Sequence, residues 1–334
     1  MLMYKFGLIG CGRIAPRHAE QIKKIGNLIA VCDTDKAKSD AFAKEYNSTA
    51  YYSIDDLLSN EKDIDIISIC TPNGFHAEHV IKSLQAGKNV LCEKPLCITS
   101  AAAWQMVDTA HFCRKKLFVV KQNRYNPAVK YVKDLLDNNL LGGITGFQIN
   151  CFWNRPQEYY TGGWKGDIHL DAGILYTQFS HFIDLLFWLL GEVENCTGFK
   201  KDHHLRRNFN IEDTGVAILQ MKTGALGTIN YTINAQPRNI EGSFALFGEK
   251  ASIKIGGEYL NRVEWYEDNG INKIQSYAND YVFYQGSMSN HHIVYDELIK
   301  ALSSNASNLS IEAKEAAKTV EIIEEIYKNT TDKS

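Results

Sequence analysis

Absences narrow the field first. No apolar stretch reaches the roughly 18 residues that a membrane span needs, and the chain opens without the basic start and small-residue cleavage site of a secretion signal. A cytoplasmic protein is the expectation. Charge of one sign is also missing. The net charge of −3 creates no field that draws nucleic acid or an anionic membrane, so neither is an expected partner. Among the eight cysteines (Cys11, Cys32, Cys70, Cys92, Cys97, Cys113, Cys151 and Cys196) there is no CxxC pair, which argues against a zinc site or a disulfide framework. Reduced, mostly buried thiols are expected instead. The doublets His203-His204 and His291-His292 lack a partner four residues away and an acid cluster of ligand spacing. They read as surface or interface histidines, and no metal is expected. Nor is there a repeat, a low-complexity tract or a long linker. What is present is an ordinary globular balance, 45 % hydrophobic and 22 % charged over 334 residues, long enough for two domains.

The first third alternates short apolar runs with amphipathic stretches. Strands are predicted at 5–9, 28–32, 64–70, 90–92 and 117–120. Helices are predicted between them at 13–24, 35–46, 74–86 and 101–115, the last capped by Thr99 or Ser100. That alternation implies βαβ units and a parallel sheet, an α/β Rossmann domain over residues 1–123. The rhythm then changes. A helix is expected from Pro127, a strand over 144–153 and one apolar helix over 173–190. Successive strands with short Gly or Asn turns follow, at 212–221, 226–233, 243–247 and 252–255. Helices at 291–303 and 311–329 close an α+β domain, 124–334, with a large and mostly antiparallel sheet.

Directly after the first strand comes Gly10-Cys11-Gly12-Arg13-Ile14-Ala15, a G-x-G-x-x-A leading into a helix. Gly10 permits the tight turn, Gly12 leaves room for a pyrophosphate, and Ala15 allows close helix–strand packing. The phosphates of a dinucleotide would meet N–H groups at the helix start. Asp33 ends the second strand, about 20 residues on, where an acid accepts hydrogen bonds from ribose hydroxyls and repels a 2′-phosphate. Thr34 follows where an NADP enzyme often offers a base, so NAD is the expected cofactor. By itself Asp33 also suits a solvated loop or a helix cap.

Two further strand ends carry unusual chemistry: Thr71-Pro72-Asn73 with His76 close behind, and Glu93-Lys94-Pro95. Ligands of an open parallel sheet bind at the carboxyl ends of its strands. Lys94 is therefore placed beside the cofactor, although Glu-Lys-Pro alone reads equally as a surface turn. In the apolar helix, Thr177 and His181 stand four apart and share a predicted face, with Asp184 one turn further. Histidine suits the removal of a hydroxyl proton as hydride departs. A core histidine satisfied by Asp184 is the alternative.

Together, Gly10-x-Gly12-x-x-Ala15, Thr71-Pro72-Asn73, Glu93-Lys94-Pro95 and the His181 helix resemble the glucose–fructose oxidoreductase/inositol dehydrogenase (Gfo/Idh/MocA) family, over essentially the whole chain. The resemblance implies a Rossmann domain and an α+β domain that builds homodimers or homotetramers, an NAD-dependent sugar dehydrogenase, and Lys94 and His181 as catalytic residues with Thr177 orienting one of them. It assigns cofactor contacts to Gly10, Cys11, Gly12, Arg13, Ile14, Asp33, Thr71, Pro72, Asn73, His76, Glu93, Lys94 and Gln122. The stretches 120–127 and 153–160, Trp164-Lys165-Gly166, Asp171-x-Gly173 and Asn239-x-Glu241-Gly242-Ser243 are similar to those of UDP-N-acetylglucosaminuronate 3-dehydrogenases of surface-polysaccharide pathways. Such enzymes oxidise a C3 hydroxyl ahead of an aminotransferase. Substrate contacts are implied at Arg124, Tyr125, Asn126, Arg155, Gln157, Tyr159, Tyr160, Trp164, Lys165, Arg238 and Asn239. Two departures stand out. Thr177 replaces the family's usual Asp or Asn and carries no charge, and Lys165 stands where a relative often has arginine. Two other functions stay open, a dehydrogenase of a free sugar or inositol and a non-catalytic cofactor-binding sensor.

Overall fold

Short apolar runs buried on both faces make the first sheet. In a computed structural model describing residues 4–206, 209–267, 278–281, 284–288, 290–304 and 310–332, β1 (Tyr4–Ile9), α1 (Ala15–Ile25), β2 (Gly26–Cys32), α2 (Lys36–Tyr46), β3 (Thr49–Tyr51), α3 (Ile54–Asn60), β4 (Ile66–Ile69), α4 (His76–Gln85), β5 (Asn89–Cys92), α5 (Ser100–Phe112) and β6 (Leu117–Val119) succeed one another. All six strands are parallel, in the order β3-β2-β1-β4-β5-β6. The order reverses beside β1, so the crevice for a ligand opens at the carboxyl ends of β1 and β4. Helix α1 buries Ala15, His18, Ala19 and Ile22, the i, i+3, i+4, i+7 stripe of a core-facing helix. Asp35 caps α2 through Lys38 N–H, and Thr99 caps α5 through Ala102 N–H. The reading of the sequence misses β3 and α3. The strand has three residues, none fully buried, and the helix two turns, too short for a period to show.

The next stretch is built from α6 (Pro127–Asp137), β7 (Ile144–Phe152), α7 (Gln157–Tyr160), α8 (Ile174–Thr177), α9 (Ser180–Leu190), β8 (Val193–Lys201), β9 (Thr214–Met221), β10 (Leu226–Thr232), β11 (Glu241–Gly248), β12 (Ser252–Gly256) and β13 (Arg262–Tyr266). An antiparallel pair, β14 (Ala278–Tyr281) with β15 (Tyr284–Met288), follows. Then come α10 (His291–Ser304), α11 (Ala313–Asn329) and β16 (Thr330–Asp332). The second sheet has eight strands in the order β13-β12-β11-β7-β10-β9-β8-β16. It is antiparallel except at β7–β10 and β8–β16, where long intervening segments supply the crossover that parallel pairing requires. Its inner face buries Phe147, Ile149, Leu219, Ile229, Phe244 and Ile253, while Ile218, Leu226, Phe247 and Trp265 project from the other face, about half exposed.

The chain divides into one compact unit of residues 1–120 with 291–320 and another of 121–290 with 321–334. Residues 291–320 join the first because Tyr295 packs on Phe6 and hydrogen-bonds His18, and Val119 N–H donates to Ile311 O. The helix expected over 173–190 is broken into α8 and α9. Phe179 N–H reaches back five residues to Ile174 O, and its φ and ψ of −114° and 5° leave the helical region. Thr177 and His181 therefore do not share a continuous helix face. Among the described residues, no helix is long and apolar enough to cross a membrane. All eight cysteines are free, five of them buried.

Candidate active site

In the first unit the glycine turn has the shape its residues dictate. Gly10 has φ +96°, and a Cβ there would lie 2.7 Å from the backbone of Cys70 at the end of β4, so a side chain is excluded both by conformation and by contact. A Cβ on Gly12 would meet nothing within 4 Å, which leaves open space over the loop. Asp33 ties this loop to β2. Its Oδ2 accepts Cys11 N–H at 2.8 Å and its Oδ1 accepts Asp35 N–H at 2.9 Å. A carboxylate offers about four acceptor sites, so ribose hydroxyls remain within its capacity. Burial, with Asp33 nearby, pushes the Cys11 thiol up to about 12, which removes it as a nucleophile. The open cradle and the carboxylate beside it fit a dinucleotide.

The other expected contacts of this unit sort differently. Thr71 and Asn73 lie at the end of β4, with Pro72 between them. His76 is buried, its ring nitrogens 2.8 Å from the carbonyl oxygens of Pro95 and Thr71, so it braces two strand ends. Burial lowers its pKa. Glu93 is likewise a brace. Its Oε1 faces His18 Nε2 at 2.8 Å and His291 Nε2 at 3.4 Å, and its Oε2 accepts Lys94 N–H at 3.0 Å. Burial would raise its pKa, but the two histidine hydrogen bonds hold it well below the ordinary carboxylate range. The donor atoms of His18, Glu93 and His291 lie within 4.8 Å of one another. His291 is thus not a surface residue but 2 % exposed. His203 and His204 are the surface residues expected, paired with Asp213 and Asp202. Lys94 itself is half-buried, two residues past β5 and next to Glu93.

In the second unit, Gln122, Asn123, Arg124 and Tyr125 form a buried 3-10 turn. Arg124 is committed to Asp184 by two parallel bonds of 2.7 Å, from Nε to Oδ2 and from Nη2 to Oδ1. Asp184 therefore holds two of the five N–H donors of Arg124. Burial would raise the Asp184 pKa, but Arg124 and Lys121 lower it. Asn126 spans Tyr259 O, Leu260 O and Asn290, again an internal tie.

A second group converges. Arg155, 1 % exposed, donates to Gln178 Oε1 at 2.9 Å, to Asn154 O at 2.6 Å and to Asn239 Oδ1 at 3.1 Å. Its guanidinium lies 4.8 Å from the Trp153 ring and 5.5 Å from that of Tyr159. Lys165 Nζ sits 3.8 Å from the Tyr159 ring centre, and Gln178 donates to the Tyr159 hydroxyl at 2.8 Å. Two cations on one aromatic ring make a locally positive environment, with Lys165 as its half-buried member. Tyr160 packs on Tyr159 with its hydroxyl buried. Trp164 is half-buried beside Lys165, Gln157 pairs with Thr161, and Arg238 is exposed.

His181, 7 % exposed, is in the first turn of α9. The hydroxyl of Thr177 donates to the Asp171 carboxylate. The break before α9 is anchored from afar: Glu212 Oε1 accepts Ile174 N–H at 3.0 Å, and the Tyr327 hydroxyl accepts Leu175 N–H at 2.9 Å while donating to Glu212. Gly173 is required here, because at φ +137° a Cβ would fall 2.2 Å from the Tyr327 hydroxyl. Sequence reading misses Glu212, Tyr327, His18 and Arg206. Arg206 binds Arg155 O, Ile233 O and Asn234. Only His18 left a signal, a polar residue on the apolar stripe of α1.

Burial raises the Glu212 pKa to about 7. Between 4.5 and 7 the unfolded chain loses this proton and the folded chain keeps it, so stability from this group falls as pH rises through that window. The loss amounts to about 3 kcal/mol once complete. Glu212→Gln should therefore gain on the wild type in urea unfolding between pH 5 and pH 8. A difference that stays constant with pH contradicts the assignment.

Comparison with known proteins agrees with these features. Residues 4–121 match the model of an oxidoreductase family with an NAD-binding Rossmann fold, and residues 129–254 match the GFO/IDH/MocA C-terminal domain. The chain is 31 % identical to D-glucoside 3-dehydrogenase of Escherichia coli over 75 % of its own length and 72 % of that protein. It is 30 % identical to glucose-6-phosphate 3-dehydrogenase of Bacillus subtilis over 56 % of its own length, spanning about half (54 %) of that relative. The crystal structure of the WlbA dehydrogenase from Chromobacterium violaceum, in complex with NADH and UDP-GlcNAcA, is 33 % identical and superposes with a TM-score of 0.88, covering 98 % of this chain and 93 % of that one. The chain belongs to the GFO/IDH/MocA oxidoreductase family and is an NAD-dependent sugar oxidoreductase of that family.

Proposed function

We propose that this enzyme oxidises the C3 hydroxyl of a UDP-N-acetylglucosaminuronate. The observation that carries the reading is the cation pair on Tyr159, the half-buried Lys165 with the buried Arg155 behind it, in a chain similar throughout to a dehydrogenase crystallised with that nucleotide-sugar. A diphosphate and a uronate carboxylate are the anions such a pair suits. Trp164, half-buried, is the aromatic assigned to the uracil or the sugar, with Tyr159 and Tyr160 buried close by, and Gln157, Arg238 and Asn239 are the further assigned contacts.

Bound NAD supplies the hydride acceptor. The residues assigned to hold it are Gly10, Cys11, Gly12, Arg13 and Ile14 at the pyrophosphate, Asp33 at the ribose, and Thr71, Pro72, Asn73 and Gln122 towards the nicotinamide. His181 takes the C3 hydroxyl proton as the C3 hydrogen leaves with its electron pair, and Lys94 donates a hydrogen bond to the same oxygen, opposing the charge that develops on it. Thr177 orients the hydroxyl or the imidazole.

The relatives that act on glucosides or glucose 6-phosphate favour a second reading, a sugar without a nucleotide. Calorimetry with UDP alone separates the two. The first reading expects saturable binding, and a protein that ignores UDP removes it. NADH absorbance on a panel of UDP-sugars and free sugars, with a keto-acid present to reoxidise any tightly held cofactor, then identifies the substrate. Light scattering on the same sample gives the copy number, and a single-copy mass removes the expected homodimer or homotetramer.

A further inference from the structure

We propose that Asp171 is a positioning residue for the oxidation: one buried carboxylate fixes the hydroxyl of Thr177 as an acceptor and holds the Lys165–Gly166 loop to the same point. The proposal rests on the reading that Thr177 and His181 serve the reaction. Asp171 is 1 % exposed. Its Oδ1 accepts the Thr177 hydroxyl, and its Oδ2 accepts Gly166 N–H at 2.7 Å. An ionised carboxylate only accepts, so the single hydroxyl hydrogen of Thr177 points at Asp171. What Thr177 offers any further group is then an oxygen lone pair. Such an oxygen can receive an imidazole N–H or a sugar O–H, and it cannot compete with either as a donor.

The backbone brings these groups together by an unusual path. Asp171 N–H and Ala172 N–H both return to Asp167 O, and Ala172 and Gly173 follow at φ +68° and +137°. That sharp turn lets residues six apart meet, although the left-handed region is costly for alanine. Two donors converge on Asp171, so the residue type matters. An asparagine accepts through one oxygen only and would turn an NH2 group towards either Thr177 or Gly166. Gly166 adjoins Lys165, whose ammonium lies on Tyr159. The same carboxylate thus links the segment bearing the proposed base to the loop bearing a proposed anion contact.

The test compares Asp171→Asn, Thr177→Val and the double variant, on whichever sugar the wild type turns over. Each single change should lower kcat roughly 10- to 100-fold. The double should fall no further than the worse single, because both remove one interaction. KM for the sugar should rise in Asp171→Asn and not in Thr177→Val, and NAD affinity by fluorescence titration should hold in both. Thr177→Ser should recover a major part of the rate lost in Thr177→Val. Effects that multiply in the double, or a folded Asp171→Asn within twofold of wild-type kcat, overturn the proposal. Should Asp171→Asn fail to fold, Thr177→Asp carries the test. Two carboxylates sharing a site cannot both ionise freely, so its kcat should gain a pH dependence that Thr177→Ser lacks, and a profile without it overturns the proposal. A wild type that turns over only sugars without a nucleotide overturns the UDP-sugar reading and leaves the Asp171 comparison intact.

Discussion

Replacing His181 with alanine is expected to lower turnover by roughly 10²–10⁴-fold, the usual cost of losing a positioned general base, with NAD binding unchanged. His181 sits in the first turn of α9, 7 % exposed, on a segment whose start is pinned by Glu212 and Tyr327. An imidazole held so has few orientations to choose from, which is what proton removal in the transition state requires. Asp184 is engaged first by the two bonds from Arg124, with His181 acting on it electrostatically. Lys94→Ala should fall steeply too, through loss of the proposed hydrogen bond that opposes charge on the C3 oxygen as its proton leaves. Stopped-flow NADH formation with UDP-GlcNAcA separates chemistry from product release. If both variants fold, bind NAD and keep near-wild-type rates, the chemistry lies elsewhere.

Arg124→Ala is expected to destabilise the fold by about 3–5 kcal/mol, the range seen when one partner of a buried ion pair is removed. Arg124 and Asp184 are almost wholly inside, and the guanidinium also lies 5.1 Å from the Trp188 ring. Without Arg124, Asp184 loses its two short charged bonds, while the Lys121 ammonium stands further off, at 3.9 Å. The sign with pH follows. Asp184 is lowered in the wild type, so the pair stabilises above the ordinary carboxylate pKa, and that stability fades as pH falls through the lowered value. The deficit of Arg124→Ala should be largest near neutrality and shrink on acidification, since a protonated Asp184 no longer needs a cation. Urea midpoints from pH 8 down to about pH 3, below the ordinary Asp value, check this. A double replacement, Arg124→Met with Asp184→Leu, should recover much of the loss, and a double as unstable as the single argues against an uncompensated charge.

The two halves of the molecule differ in how much of them could be read beforehand. In the first, strand, glycine turn and helix are each set by a few neighbouring residues. Gly10 is demanded by its own φ and by the Cys70 backbone, and Asp33 by its place at the end of β2. Glu93 and His76 were noticed, but their partners within the packed chain were not. Their braces come from His18 and His291 and from Pro95 and Thr71, and sequence spacing does not report contacts between separate elements. The helix expected through Thr177 and His181 failed for a related reason. Its apolar period is genuine, but a single N–H of Phe179, drawn back to Ile174 O, ends one helix and begins another.

By itself, then, the sequence determined the cofactor fold, the class of chemistry and the identities of Lys94 and His181 as candidates, because hydrophobic period, turn stereochemistry and short motifs are local demands. Only the tertiary structure decided that Arg124 pairs with Asp184, that Arg155, Lys165 and Gln178 gather around Tyr159 with Asn239 on Arg155, and that Asp171 stands behind Thr177. Those partnerships follow from buried polar groups having to find partners wherever the packed chain brings them, and that requirement leaves no periodic trace in the order of the residues.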